Sequence, residues 1–334
     1  MMKKFGLLLL LAACSHKEPA ATQDKSADKP PAEEPVDTSE IPSGVHIAQI
    51  EGKKWTATDE LPPAIHGHGE ALRDAYVASD GVQFLSGYMY TGVDGADTGV
   101  VYRKDLGGAW KIAFSKKENE LHVLFGSSSS DVYAAGVHTL EHWDGKAWSE
   151  LEVPDVQGTF SGGWTDGKQV FVSTSDWDPD AKKGWIYRRD EKGAWTLDGT
   201  AKNILFEIDG VGDAIYAVGQ DGLTLHRKAA GSWTDETFPN GYQVTNISVV
   251  TPKDIYSAGS SLMHSTGDGT WTKVTLPKKG QVVAVWGRAS NDVYAGTLGG
   301  LFHFDGTAWS ATRWAHGVET ISGNATLTLV AHDN

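Results

Sequence analysis

The chain contains a single cysteine, Cys14, among its 334 residues. One thiol excludes a disulfide within the chain and excludes a metal site built from several thiolates. Hydrophobic runs are short as well, and none reaches the length of about 18 apolar residues that a membrane-spanning helix needs. The sequence therefore predicts no internal cross-link and no spanning helix.

Positive charge is scarce, since 29 Lys and Arg residues face 43 Asp and Glu residues and the formal net charge is −14. Binding to a phosphate backbone needs a clustered positive surface, so a nucleic-acid partner is not expected. The sequence also has no G-x-S-x-G, H-E-x-x-H or G-x-x-x-x-G-K motif. We predict no catalytic residues and no resident cofactor.

The first residues have the layout of a secretory signal, with Lys3 and Lys4 followed by the short apolar stretch 5–13. The next segment, Leu11-Ala12-Ala13-Cys14, resembles the lipobox of bacterial lipoproteins. That resemblance implies a signal peptide over 1–13, lipidation of Cys14 by acyl chains such as palmitate, and, with Ser15 following, delivery to the outer membrane. The alternative is an ordinary signal peptide with an incidental cysteine.

Residues 14–44 are predicted to be a disordered tether. The stretch 15–44 contains five prolines, ten Asp, Glu or Lys residues and no aromatic residue. Such a composition cannot bury enough apolar surface to offset the entropy lost on ordering. We expect this segment to hold the folded part near a membrane without fixing its orientation.

From residue 45 the sequence repeats, and the repeat is marked by tryptophans separated four times by 38 residues and twice by longer intervals of 47 and 55: Trp55, Trp110, Trp148, Trp195, Trp233, Trp271 and Trp309. A period near 40 residues with several short strands is typical of β-propeller blades. In the period 281–309, an apolar strand is followed by a turn, a second strand at 293–296, a third at 301–304, the hairpin signal Asp305-Gly306, and a strand opened by Trp309.

The two ends of the repeat region are complementary. The chain begins with outer-strand material at 46–55 and finishes with inner-strand material at 318–331. Together they make one blade, which closes the ring without a covalent bond. We therefore predict an all-β fold over 45–334, a seven-bladed β-propeller of four-stranded blades whose closing blade is shared between the termini. Rings of six or eight blades are the alternatives.

These repeats resemble the Trp- and Gly-rich propeller repeats of secreted bacterial proteins and the wider group with Asp-box hairpins. The shared pattern is V-W-G-x-x-x-x-D-V-Y-A-x-G followed by H-x-D-G-x-x-W. The segment 265–271 is close to an Asp box, but its Ser-to-Asp spacing is one residue too long. The resemblance implies the fold and leaves the activity open.

Histidines and carboxylates offer three candidate ligand sets. Four histidines lie at equivalent repeat positions (His142, His226, His264 and His303), so we interpret them as structural. The pair His66 and His68 lacks an evident third metal ligand. The alternating carboxylates of 176–180 suggest a calcium loop, but Ala181 and Tyr187 stand where Gly and Glu are needed. A solvated acidic loop is the default, with calcium as a weak alternative.

The two irregular intervals each carry an insertion between a second and a third strand, so both are predicted to emerge on one face of the ring. We predict a binding surface there, because functional loops lengthen while scaffold turns stay short; its residues are Tyr88, Tyr90, Asp94, Asp97, Asp176, Trp177, Asp178, Asp180 and Trp185. The alternative is that both insertions are surface loops without a function.

The sequence thus indicates an outer-membrane lipoprotein, anchored at Cys14, whose propeller is a non-catalytic protein-binding or scaffolding module. We expect a monomer with an envelope protein or a glycan as its partner. A glycan-binding propeller is the first alternative. A sialidase- or lyase-like enzyme is the second, although only Arg73 and Arg288 lie near first strands, where an arginine cluster would be required.

Overall fold

The strands assemble into seven antiparallel sheets of four strands each, in a computed structural model that describes residues 46–57, 61–62, 70–89, 98–178, 180, 182–228, 232–236, 238 and 243–332. The strands of the first three sheets in the chain are β3 (Glu70–Val77), β4 (Gln83–Met89), β5 (Thr98–Lys104) and β6 (Trp110–Lys117) in blade 1; β7 (Leu121–Ser128), β8 (Asp131–Gly136), β9 (Leu140–Trp143) and β10 (Trp148–Glu150) in blade 2; and β11 (Thr159–Thr165), β12 (Val170–Asp176), β13 (Lys183–Arg189) and β14 (Trp195–Ala201) in blade 3.

The next three sheets follow in the same order. They are β15 (Leu205–Val211), β16 (Ala214–Gly219), β17 (Thr224–Lys228) and β18 (Ser232–Asp235) in blade 4; β19 (Val244–Thr251), β20 (Asp254–Gly259), β21 (Met263–Ser265) and β22 (Trp271–Lys273) in blade 5; and β23 (Val282–Ala289), β24 (Asp292–Thr297), β25 (Gly300–Phe304) and β26 (Trp309–Ala311) in blade 6. A single 3₁₀ turn, Gln220–Gly222, lies between β16 and β17, and the described residues contain no helix long and apolar enough to cross a membrane.

The closing blade is made from both ends of the chain. Its strands are β1 (His46–Glu51), β2 (Lys54–Ala57), β27 (Thr320–Gly323) and β28 (Thr328–His332), in the order β2-β1-β28-β27. The junction is antiparallel, with Ala48 opposite Val330 and Ile50 opposite Thr328. The seven-bladed propeller with a shared closing blade, predicted from the sequence, is therefore confirmed.

The core of the molecule lies between the blades. The first strand of each sheet contacts the first strands of both neighbouring sheets, with β27 against β3 and β23 against β27 completing the ring. Seven apolar clusters fill the seven joints, one between each pair of neighbouring blades. Burial of apolar surface at each joint is the main force that holds the ring together.

The repeated Tyr, His and Asp residues form one structural unit within a blade. In blade 6, the His303 ring stacks on Tyr294 with centroids 4.5 Å apart, and His303 Nε2 lies 2.9 Å from Asp292 Oδ1. Blades 2 and 5 repeat this unit with Tyr133, His142 and Asp131 and with Tyr256, His264 and Asp254. The interpretation of these histidines as structural repeat positions is confirmed.

The unit varies where its acid is missing. Blade 4 has Ala214 at the Asp position, and His226 Nδ1 pairs instead with Glu236 Oε1 at 3.0 Å. In blades 1 and 3 the Tyr–His pair is replaced by a phenylalanine opposite an arginine, Phe84 with Arg103 and Phe171 with Arg188. These are the two blades that carry the insertions.

Several sequence predictions concern residues outside the described part of the chain. These are the signal peptide 1–13, the lipidated Cys14, the tether 14–44 and the pair His66 and His68.

Candidate binding surface

Both insertions emerge on the same face of the propeller, which we call the insertion face. One connects β4 to β5 in blade 1, the other connects β12 to β13 in blade 3, and blade 2 lies between them. Three predicted binding residues of the first insertion, Tyr90, Asp94 and Asp97, lie outside the described residues. The opposite side of the ring, where Asp144-Gly145 and Asp305-Gly306 turn between third and fourth strands, is called the hairpin face.

Tyr88 belongs to a strand and not to the insertion. It is the sixth residue of β4 and is 5% exposed. Arg73 on β3 donates a hydrogen bond to its hydroxyl at 2.7 Å, and the guanidinium carbon lies 4.9 Å from the ring centroid. Tyr88 therefore holds the Arg73 guanidinium in place by a hydrogen bond and a ring contact. Its own ring is buried and is not available for contact with a partner.

Trp185 also lies on a strand. It is opposite Thr174 in the pairing of β12 with β13, and it packs against the apolar cluster between blades 2 and 3. The ammonium of Lys183 lies 5.5 Å from its ring centroid. Trp185 is therefore a partly buried packing residue at the edge of the insertion face.

The carboxylates of the second insertion organise the loop itself. Asp176 Oδ1 accepts a hydrogen bond from the backbone N–H of Asp178 at 3.0 Å, and Asp178 Oδ1 accepts one from the N–H of Asp180 at 2.9 Å. Such Asx turns fix a loop without any ion. Within the part of the chain that the structure describes, no three His, Cys, Asp or Glu side chains are grouped as a metal site.

Trp177, by contrast, has an exposed side chain on the insertion face. It is 52% exposed, an unusual state for a tryptophan. Its ring leans against Phe206 of blade 4, with centroids 5.7 Å apart and an interplanar angle of 53°. The insertion of blade 3 therefore reaches over to the first strand of the next blade, at the centre of the ring.

Phe206 is one of six residues that lie at a β-bulge in the first strand of a blade. In blades 1 to 6, the pairing of the first strand with the second skips one residue near the strand start. The skipped residue is partly exposed in every blade, whereas the residue before it is buried. Bulges re-aim side chains in this way, and they turn one residue per blade toward the insertion-face end of the central channel: Arg73, His122, Ser161, Phe206, Thr245 and Val283. Glu319 precedes β27 at the matching place in the closing blade, where its N–H bonds to the carbonyl of Ala331.

The charged members of this channel mouth lie together on one side. Arg73 Nη1 is 3.3 Å from Glu319 Oε1, joining blade 1 to the closing blade. His122 Nε2 donates to the carbonyl oxygen of Phe160 in blade 3 at 2.8 Å. Burial lowers the pKa of His122, and the positive charge of Arg73 acts in the same direction. His122 is therefore a neutral hydrogen-bond donor at neutral pH.

Carboxylates line the channel below the mouth. Asp74 ties three blades together, because its carboxylate accepts hydrogen bonds from the N–H of Leu124 at 2.8 Å, the N–H of Ala75 at 2.7 Å and the hydroxyl of Thr320 at 3.2 Å. Burial raises the pKa of Asp74 to about 7 and that of Asp209 to about 6. These groups hold the inner strands in place, and their hydrogen-bonding atoms face the protein.

The fourth blade contributes a further carboxylate, Glu207 of β15. Burial raises the pKa of Glu207, and the negative charge of Asp74 adds to that shift. Blades 1 and 4 are not neighbours in the ring, so this interaction crosses the channel.

Sequence reasoning found Trp177 but missed Phe206, His122 and Glu319. Each of these lies one residue into or just before a first strand, where the sequence shows only the start of an apolar run. The six skipped residues do occupy the same position in successive repeats, so an alignment of the repeats could have pointed to them. What they share is a backbone irregularity, however, and not a residue type.

No protein-family model and no curated protein sequence matches the chain. Solved structures do. The chain is similar to YCF48 bound to a D1 peptide, at 14% identity and a TM-score of 0.58 over 84% of this chain and 93% of that one. It is similar to the WD40 β-propeller domain of Doa1, at 12% identity and a TM-score of 0.60 over 81% and 96%. Sqt1 from Chaetomium thermophilum matches at 11% identity and a TM-score of 0.53 over 76% and 75%. At these identities the likeness shows the propeller fold alone.

Proposed function

We propose that this chain is a bacterial outer-membrane lipoprotein, anchored at Cys14, whose propeller is a non-catalytic protein-binding module. The observation that supports binding is the exposed ring of Trp177, which packs against the partly exposed Phe206 beside the channel mouth. Arg73, His122 and Glu319 add hydrogen-bonding groups across the same mouth. An aromatic anchor beside polar groups is the usual composition of the centre of a protein interface.

The partner that fits this surface is a polypeptide segment. Trp177 offers a ring for a hydrophobic side chain, and the polar side chains of Arg73, His122 and Glu319 surround the neighbouring mouth. The solved structure with YCF48 contains a propeller of the same fold with a peptide bound. That likeness is consistent with a peptide-binding function, and propellers in general host many functions.

Replacement of the insertion 177–182 by the two-residue turn Leu298-Gly299 of the β24–β25 hairpin is expected to spare the fold and to weaken partner binding. The loop adds little to the core, and its shortening changes loop-closure entropy by only about 0.6 kcal/mol per halving. Loss of an aromatic anchor costs around 2 kcal/mol, or about 30-fold in affinity. The Trp177→Ala variant should show the same loss. A photo-crosslinker at position 177 in intact cells identifies the partner, and its purified form supplies the affinity measurement.

The matched control is a crosslinker and an alanine at Lys146, an exposed residue in the Asp144-Gly145 hairpin on the hairpin face. If variants at Lys146 lose the partner while the insertion variants keep it, the binding surface has been placed on the wrong face. Retained protein binding together with specific loss of sugar binding on an array by Trp177→Ala would assign the insertion face to glycans instead.

The lipid anchor is tested separately. Cys14→Ser removes the atom that would be acylated, so the variant should leave the membrane fraction or remain unprocessed. Stable anchoring needs more than one acyl chain, and all of them would be attached at Cys14, so loss of the modification should abolish membrane association. Fractionation and intact mass of the mature chain are the measurements. A variant that stays membrane-bound and processed like the parent would show that Cys14 is not the anchor.

A further inference from the structure

A pocket with a volume of about 190 Å³ lies in the joint between blades 1 and 2, at the hairpin-face ends of the strands. Its aromatic walls are Phe84 of β4, Trp143 of β9 and Trp148 of β10. Arg103 of β5 and Lys111 of β6 also line it, and they are directly opposite each other in the pairing of these two strands. The pocket therefore combines aromatic walls with two cations.

Blade 3 has the same strand register as blade 1 around this position. In both blades, the pairing of the third strand with the fourth skips one residue, three positions after the tryptophan that opens the fourth strand. The skipped residue is Ala113 in blade 1 and Asp198 in blade 3. Arg103 and Arg188 occupy matching positions as well, because each is opposite the residue that follows that tryptophan. The joints that follow blades 1 and 3 can therefore be compared residue by residue.

In the joint between blades 3 and 4, the carboxylate of Asp198 occupies this place and is only 6% exposed. Its Oδ1 lies 3.3 Å from Arg188 Nε. Its Oδ2 accepts hydrogen bonds from Trp233 Nε1 at 2.9 Å and from Arg227 Nε at 3.0 Å. The repeat architecture therefore accommodates a carboxylate between guanidinium groups and an indole N–H at this position.

That carboxylate is missing from the joint between blades 1 and 2. Ala113 stands in its place and lines the pocket, so the open volume lies where blade 3 has the Asp198 side chain. Trp148 corresponds to Trp233, because each opens the fourth strand of the next blade. Among the described residues, the lining of the pocket includes no Asp or Glu side chain. The pocket thus has an arginine and an indole at the matching positions without the acceptor between them.

The two cations of the pocket share one carboxylate at its rim. Asp105 Oδ1 lies 2.8 Å from Arg103 Nε and 2.7 Å from Arg103 Nη2, and Asp105 Oδ2 accepts a hydrogen bond from Lys111 Nζ at 2.6 Å. The hydrogen bond from Lys111, reinforced by Arg103, lowers the pKa of Asp105. Asp105 does not engage Nη1 of Arg103. Two positive charges beside one negative charge leave an excess positive charge that a second carboxylate would balance.

We propose that this pocket binds the carboxylate of an aspartate or glutamate side chain from a partner polypeptide, at the place that Asp198 occupies in blade 3. Arg103 and Lys111 pair with the carboxylate, and charge-assisted hydrogen bonds of this kind are the strong ones. An acidic side chain carries its carboxylate on the same short apolar stem as Asp198, and the aromatic walls cover that stem. The site lies away from the insertion face and does not rest on the binding function proposed for that face.

Titration of the full chain with an end-blocked Gly-Glu-Gly peptide, followed by the indole N–H signals in NMR spectra, tests the proposal. The signal of Trp148, identified by its loss in Trp148→Phe, should shift with this peptide and not with the matched Gly-Gln-Gly peptide. Acetate should shift the same signal with lower affinity, because it lacks the stem that the aromatic walls cover. Added salt should weaken binding of the acidic peptide, since the attraction is between charges.

Variants of the pocket sharpen the outcome. Ala113→Asp supplies a carboxylate from the position that Asp198 occupies, so it should abolish binding and leave the fold intact. Arg103→Met should weaken binding about tenfold and Lys111→Met about threefold. Lys117→Met is the matched control, because it removes an equal charge from the far, exposed end of the same strand and should leave the affinity unchanged.

Three results would each overturn the proposal: equal binding of the Glu and Gln peptides, no shift of the Trp148 signal by the acidic peptide at millimolar concentration, or unchanged affinity in Ala113→Asp. If that variant does not fold, unchanged affinity in both Arg103→Met and Lys111→Met decides against the pocket instead. Acetate that binds as tightly as the acidic peptide would assign the pocket to free carboxylates and overturn its assignment to a polypeptide.

Discussion

A chain that lacks residues 318–334 should fail to fold into a soluble propeller. The deletion removes β27 and β28, which are the two inner strands of the closing blade, and leaves β1 without its partner. It removes fully buried Leu329, Val330 and Ala331 and opens the clusters on both sides of the gap. Each large apolar side chain contributes about 1.5–3 kcal/mol on burial, and domains are stable by only about 5–15 kcal/mol in total.

Polar contacts across the two joints would be lost as well. Ser322 Oγ accepts the N–H of Val77 at 3.1 Å, Asn324 donates to the carbonyl of Ala78 at 2.8 Å, and Arg288 bonds to Thr328 at 2.8 Å. Without these strands the inner edge of β1 is unpaired and apolar faces of blades 1 and 6 are exposed, and both favour aggregation. The soluble fraction and near-ultraviolet circular dichroism measure the effect.

The control is a deletion of residues 15–40, which fall within the stretch that the sequence predicts to be a tether. We expect its melting temperature to equal that of the parent within error, because the composition of these residues predicts a disordered segment without apolar burial. If both deletions are tolerated equally, the two chain ends do not share a blade in solution.

Gly259→Ala should destabilise the propeller strongly for a different reason. A Cβ at this position would lie 1.9 Å from the carbonyl oxygen of Gln243 and 2.8 Å from its carbonyl carbon. Both atoms belong to the backbone, so no side-chain rotation relieves the overlap, and the strand must move. We expect a loss of about 3 kcal/mol in the free energy of unfolding.

The same close approach recurs at or near the end of three other second strands. Built Cβ atoms at Gly87, Gly136 and Gly219 would each lie 2.0 Å from a backbone carbonyl oxygen of the same blade. This is the physical reason for the glycine in the repeated Y-A-x-G pattern. In blade 6, Thr297 takes this place opposite Val282, so the pattern is not absolute.

Gly280→Ala is the matched control for Gly259→Ala. The nearest atom to a Cβ at Gly280 is 3.9 Å away, so the substitution should change the free energy of unfolding by less than about 0.5 kcal/mol. Urea unfolding of the two variants beside the parent gives the comparison. Equal, small effects would mean that the inner end of blade 5 adapts more easily than close packing between strands permits.

Much of the architecture followed from the sequence because its repeat reports local structure. The tryptophan at the start of each fourth strand, the Tyr–His pairs and the Asp-Gly turns all depend on contacts within one blade. Residues only a few positions apart determine such contacts, so their spacing is visible in the chain. The shared closing blade was visible for the same reason, since each end carries a recognisable half of the pattern.

The location of the candidate surface could be predicted from the sequence, but the residues that form it could not. The interval lengths located both insertions on one face, and Trp177 lies there. Tyr88 was expected to face a partner, yet β4 continues through Met89 and buries its ring against Arg73. The end of β4 could not be predicted from the sequence, because the apolar pattern continues from the strand into the insertion.

The sequence alone determined the number of blades, the order of strands within them and the way in which the chain ends meet. Only the tertiary structure decided which side chains reach the channel mouth and which residues pack across each joint. Those outcomes depend on one-residue bulges and on contacts between residues in different blades, such as Trp177 with Phe206 and Trp309 with Tyr256. A repeat encodes what neighbouring residues do within a blade, whereas the packing of one blade on the next is fixed only when the ring closes.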